Sequence, residues 1–101
     1  MPITQKQEAR NILANVPQEY VFWCHHGVTL ANLSELGDAL SIMSDEDFAY
    51  HANSDKNDFT NWIKDIIKDD RLATDLGKAT TRTQAASRVA ARLAALRKRL
   101  A

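Results

Sequence analysis

The sequence contains little cysteine, glycine or proline. Its one cysteine, Cys24, cannot form an internal disulfide, which is consistent with a reducing compartment. Three glycines and two prolines among 101 residues, of which 26% are charged, are typical of a folded globular chain and not of a disordered one. A chain of this length can bury one modest core. We therefore expect a single folded body with at most one appended element.

Long apolar runs are also absent. No run approaches the roughly 20 residues that a membrane-spanning helix requires. Residues 1–6 lack the basic flank and the apolar stretch of a signal peptide. We expect a cytoplasmic protein without a membrane partner.

Acidic residues are missing from the C-terminal part of the chain. All thirteen Asp and Glu lie at or before Asp75, whereas residues 78–101 contain seven Lys or Arg and no acid. Residues 1–77 hold six Lys or Arg, so their formal charge is 6 − 13 = −7, which the tail at +7 cancels. Such segregation indicates that one part meets an anionic partner or that the two parts meet each other. We therefore divide the chain into an acidic helical domain, 1–77, and a basic amphipathic C-terminal helix, 78–101.

The spacing of apolar residues predicts a mainly α-helical fold. Five helices are expected before residue 78, most of them preceded by a Ser, Thr, Asn or Asp that can cap them. They cover, approximately, residues 4–16, 33–43, 45–52, 57–67 and 69–76. Pro17 should end the first helix, and Gly77 should be the C′ residue of the fifth. The fourth carries the densest core signal, formed by Phe59, Trp62, Ile63, Ile66 and Ile67.

A short β-hairpin is predicted between the first two helices. Residues 20–24 are β-branched or aromatic apart from the last, and residues 25–27 supply a turn before 28–30. Alternation along a strand places Phe22 and Trp23 on opposite faces.

Residues 20–77, approximately, resemble DUF5752, a small prokaryotic domain family of unknown function. The similar positions are Phe22 with Gly27, Leu33 with Leu36, His51 followed by Asn57-Asp58-Phe59-x-x-Trp62-Ile63, and Leu72-Ala73. The most specific of these is His51 with the Asn-Asp-Phe-x-x-Trp-Ile segment. The resemblance implies a compact helical domain and does not imply any activity.

Cys24, His25, His26 and His51 are residues of the types that bind zinc and other transition metals. On a strand only Cys24 and His26 share a face, so a third ligand would have to be His51 or an Asp. A Cys24–His51 nucleophilic pair oriented by Asp58 is a further reading, but no oxyanion hole or nucleophile elbow accompanies it. We predict no metal, no cofactor and no catalytic residue. An enzyme or metal-binding protein that uses Cys24, His26 and His51 remains an alternative.

We predict instead a polar structural cluster of His51, Asn57 and Asp58. Asn57 and Asp58 would cap the helix that contains Trp62, and the His51 ring would hydrogen-bond one of them.

The C-terminal helix carries the predicted binding residues. Thr81 and Gln84 form a capping box, and no Gly or Pro follows. On a helical wheel a narrow apolar stripe lies beside a continuous basic flank. The predicted partner-binding residues are Arg88, Val89, Arg92, Leu93, Leu96, Arg97, Lys98, Arg99 and Leu100.

These patterns predict a non-catalytic interaction module. The tail helix would enter a groove of a protein partner or associate with a second copy, its arginines pairing with an acidic surface. The same class includes a tail that packs as the last helix of its own domain. The alternative is sequence-independent nucleic-acid binding through phosphate contacts, because no aromatic residue is interleaved among the Lys and Arg.

Overall fold

The computed structural model describes residues 4–25 and 27–101. Its elements, in chain order, are α1 (Gln5–Leu13), a 3-10 turn (Gln18–Tyr20), β1 (Phe22–Trp23), β2 (Thr29–Leu30), α2 (Leu33–Ile42), α3 (Asp45–His51), α4 (Asp58–Trp62), a π turn (Ile63–Ile67), α5 (Asp70–Gly77) and α6 (Arg82–Leu100). The predicted mainly α fold, with its N-terminal hairpin and long basic C-terminal helix, is confirmed.

Local side-chain caps explain where the helices begin. In each case an oxygen of the capping residue accepts a hydrogen bond from the backbone N–H three residues further on, which satisfies a donor that the helix leaves unpaired. The caps are Thr4, Asn32, Ser44, Asn57, Asp69 and Thr81.

Two predicted helix ends are wrong. The first helix ends at Leu13, well before Pro17, because the chain turns towards the hairpin region, where the Val16 N–H donates to the Ala31 carbonyl at 2.7 Å. Gly77 is the last residue of α5 and not a left-handed C′ residue, since Lys78 after it is still right-handed. Among the described glycines only Gly27, in the hairpin turn, has a positive φ, +98°.

The hairpin is short and is held by one aromatic anchor. Phe22 pairs with Leu30 and Trp23 with Thr29 in antiparallel register. The Phe22 ring is buried, with its centroid 5.1 Å from that of Phe59 and 5.7 Å from that of Trp62. Trp23 points the other way and is 68% exposed. The two aromatic residues thus lie on opposite faces, as strand geometry requires.

The last helix, α6, belongs to the same core as the rest of the chain. It packs against α1, α2 and α5, and Val89, Leu93 and Leu96 join the buried cluster. A Cβ at Gly37 of α2 would lie 3.2 Å from Leu93 Cδ1 and 3.3 Å from Val89 Cγ1, so the missing side chain permits the close approach of the two helices. The boundary at residue 77 therefore separates the acidic part of the chain from the basic part, but residues on both sides of it share one hydrophobic core. Within the described residues, no helix combines the length and apolar character needed to cross a membrane.

Candidate interaction site on the C-terminal helix

The apolar half of the predicted binding stripe is covered by the chain itself. Val89 and Leu96 are fully buried, Leu93 is 7% exposed, and Leu100 is half-buried against the core. Moving these side chains into a groove of another protein would require α6 to leave its own core. Since each buried Leu or Val contributes about 1.5–3 kcal/mol, that step is strongly unfavourable.

Arg92 forms a buried ion pair with Asp69. Its Nε donates to Asp69 Oδ2 at 2.8 Å and its Nη2 to Oδ1 at 3.2 Å, and both side chains are at least nine-tenths buried. The π turn places Asp69 there, because it ends in a left-handed Lys68 (φ 66°) and the Ile63 carbonyl accepts hydrogen bonds from the N–H groups of Lys68 and Asp69. Asp69 also caps α5 through the Leu72 N–H. Sequence reasoning missed this pair because its members are 23 residues apart.

Arg82 connects the start of α6 to the end of α2. Its Nε donates to Asp45 Oδ1 at 3.1 Å, and its Nη1 donates to the carbonyls of Leu40 and Ser41 at 2.8 and 3.3 Å. Those carbonyls belong to the last turn of α2, where a cation is favoured by the helix dipole.

The C-terminal turns of α6 make two further contacts. Arg99 Nη1 lies 3.6 Å from Glu8 Oε1 of α1, and Arg97 donates to Ser34 Oγ at 3.1 Å. Together with Arg82 and Arg92, Arg99 shows that the basic tail meets acids of the acidic part within one chain.

An arginine groove remains on the side of α6 that faces α5. We use this name for a depression of about 300 Å³ lined by Arg71, Asp75, Arg88, Ala91, Arg92, Ala95 and Arg99. Ala91 and Ala95 leave space between the longer side chains. Arg88 Nε is buried and has no hydrogen-bond partner among the described residues, whereas Arg99 Nη1, also buried, has only the long contact with Glu8 Oε1 at 3.6 Å. Buried N–H groups are usually paired, so Arg88 lacks the acceptor that such a group normally has, and Arg99 Nη1 is weakly satisfied.

His51, Asn57 and Asp58 are brought together. The Asn57 side chain accepts from the Thr60 N–H, and His51 Nδ1 lies 3.0 Å from Asp58 Oδ2. His51 Nε2 accepts from the backbone N–H of His25 at 2.9 Å, so the ring proton is on Nδ1 and is donated to Asp58. Both ring nitrogens are occupied, which leaves neither for a metal or for a proton from Cys24.

Burial raises the pKa of Asp58, but the hydrogen bonds from His51 and Lys56, together with the charge of Lys56, outweigh it, and the pKa lies below its ordinary value. Lys56 Nζ donates to the same oxygen at 3.1 Å. The carboxylate is therefore held ionised between two donors.

Cys24 has the opposite character to an activated nucleophile. The side chain is buried, and desolvation raises the pKa of its thiol, as does the negative charge of Asp47. A catalytic cysteine needs a lowered pKa. Within the described residues no three His, Cys, Asp or Glu side chains are grouped as a metal site would need, and His26, one of the predicted alternative ligands, lies outside them.

A scan against protein-family models finds no family that matches the chain, and searches of curated proteins and of solved structures find no match either. The resemblance to DUF5752 thus stays a prediction.

Proposed function

We propose that this chain is a non-catalytic interaction module that binds an acidic segment of a protein partner in the arginine groove. The single observation that carries the proposal is Arg88, which lines the groove and makes no hydrogen bond or ion pair with any described residue, its buried Nε included. A carboxylate supplied by a partner would satisfy the Arg88 guanidinium in charge-assisted hydrogen bonds, each contributing about 1.5–3 kcal/mol, once the side chain turns so that its N–H groups face the groove.

The length of the groove favours a segment over a single ion. Arg88 and Arg99 are separated by eleven positions of one helix, which corresponds to roughly 16 Å between their Cα atoms. One small anion cannot reach donors at both ends. An extended or helical peptide with two spaced carboxylates can.

The charge balance of the groove favours a protein over a nucleic acid. Four arginines and Asp75 line it, and Asp69 and Glu8 pair with two of those arginines, so the local sum is 4 − 3 = +1. A modest excess suits one or two carboxylates. A duplex would bring many phosphates close to Asp75 and would gain little from arginines already paired within the chain.

The test measures binding of a fluorescein-labelled peptide of Glu and Ala residues by anisotropy. Arg88→Gln removes the charge of a side chain that donates no hydrogen bond within the described residues and should weaken binding on the order of tenfold. Lys98→Gln is the matched control, because it makes the same charge change at an exposed position of α6 outside the groove. Its effect should stay within about twofold.

Equal losses in the two variants would show unspecific attraction to the whole tail and would contradict the groove. Tighter binding of unrelated duplex DNA, with log K falling against log salt at a slope of about −4 or steeper, would support the nucleic-acid alternative instead.

A further inference from the structure

A second depression lies between β2 and α2, and we call it the β2–α2 groove. It has a volume of about 210 Å³, with Val28, Leu30, Ala39 and Ile42 among its lining residues. Small-molecule pockets usually begin at about 300 Å³ and are deeper. The β2–α2 groove is therefore of a size for one or two anchoring side chains of a larger ligand.

The rim of this groove exposes more apolar surface than folding explains. Ile42 is 83% exposed and Val28 is 50% exposed, although both are large aliphatic residues. Trp23, at 68% exposure, stands opposite Thr29 on the outward face of the hairpin, and Thr29 also lines the groove. Clustered exposed apolar residues mark interaction surfaces, and tryptophan is enriched among residues that dominate binding energy.

The groove carries negative charge and no lining cation. Glu35 and Asp38 lie one turn apart on the same stripe of α2 as Ile42, and both line the groove. Glu35 Oε1 accepts a hydrogen bond from the Ala31 N–H at 2.7 Å, which fixes that carboxylate at the rim. Asp38 has no ion pair within the described residues. An occupant must therefore match apolar walls and two carboxylates together.

We infer that the β2–α2 groove binds a segment of a partner protein in which an apolar side chain is flanked by Lys or Arg. The apolar side chain would pack between Val28 and Ile42, and the basic residues would lie near Glu35 and Asp38. A second copy of the chain fits less well, because a two-fold contact through this face would bring the same carboxylates of both copies into one interface. The inference uses a different surface from the arginine groove and does not rest on it.

The test is a selection from a displayed library of random peptides on the intact chain, followed by affinity measurements with the enriched peptides. We expect a class with a Leu, Phe or Trp anchor beside Lys or Arg. Ile42→Ser should weaken that class at least about tenfold, since the anchor contact contributes about 1.5–3 kcal/mol. Asp38→Asn, which preserves shape, should weaken it by about threefold and make binding less sensitive to salt.

Two controls keep the outcomes separate. Tyr50→Ser removes another large exposed side chain, 51% exposed, that does not line the groove and should leave this class unchanged. Acidic peptides that lose binding with Arg88→Gln report on the arginine groove alone. Ile42 is so exposed that its replacement should not impair folding, which circular dichroism verifies.

Three results would overturn the inference. The first is that no basic apolar class is enriched. The second is that such peptides bind the Ile42→Ser variant as tightly as the original chain. The third is a dimer, detected by sedimentation, that Ile42→Ser abolishes, because the groove would then be occupied by a second copy.

Discussion

Individual ion pairs join the acidic and basic parts of this chain. The Arg92–Asp69 pair is the most deeply buried of those described. Breaking a buried pair leaves an uncompensated charge in the interior, which costs more than the pair itself contributes. Arg92→Met should therefore destabilise the fold by about 3–5 kcal/mol, measured by urea denaturation. Asp69→Asn, which keeps an oxygen to cap α5, should restore part of this loss when combined with Arg92→Met. The single and double variants together test whether the cost is that of a stranded carboxylate.

The control for that experiment is Lys98→Met, an exposed cation on the same helix. Its effect should stay within about 0.5 kcal/mol. A loss below about 1 kcal/mol for Arg92→Met would contradict the burial of the pair.

Asp58 should give the fold an acid-sensitive contribution. Its pKa is lower in the folded chain than the value of about 3.9 expected when unfolded, so its contribution is complete above that value and is lost as the pH falls through the folded pKa. Asp58→Asn should lower stability at pH 7 and make the stability curve below about pH 4 less steep. Urea titrations at pH 7 and at several pH values below about 4 measure the free energy of unfolding of both chains. Asp55→Asn, in the preceding exposed loop, is the control and should leave the curve unchanged.

At the scale of elements, the helix starts could be predicted because their causes are local. Ser44 and Thr81 cap helices through backbone N–H groups three residues away, and such pairs are visible in a sequence. Whether α6 packs against its own core or against a partner could not be predicted, because its apolar stripe suits both equally well. The Arg92–Asp69 contact and the exposed Ile42 also depend on which elements become neighbours, and sequence periodicity carries no information on that.

The close approach of α2 and α6 yields a prediction of its own. Gly37→Val would place atoms where Leu93 and Val89 already lie, and overpacking of this kind costs about 1–3 kcal/mol. The same change at Gly77, where a Cβ would meet nothing within 4 Å, is the matched control and should change stability by no more than about 0.5 kcal/mol. Similar effects at both positions, measured by thermal unfolding, would show that helix propensity and not packing decides the outcome.

For the whole molecule, the tail is a part of the core and not an appendage. Deletion of residues 78–101 would remove Val89, Leu93 and Leu96 from the buried cluster and leave Asp69 without Arg92. We expect the remaining chain to lose its near-ultraviolet circular dichroism and its cooperative unfolding transition. A fragment 1–77 that unfolds cooperatively would contradict this, because it would show that the acidic part folds without the tail. Loss of binding after the deletion therefore says nothing about the site, and point variants are required.

The order of the two charged parts along the chain, with α6 after the acidic helices, has a consequence for biosynthesis. As long as α6 is still inside the ribosome, the released residues 1–77 carry the full excess of acidic residues, 6 − 13 = −7, and lack one wall of the core. The charge repulsion among those residues opposes compaction, which should delay folding and also keep the released part from aggregating. The arrival of the arginines then supplies, in one step, both the missing apolar surface and the neutralising charge. Folding is therefore expected to wait until α6 has left the ribosome and can pack against the earlier helices.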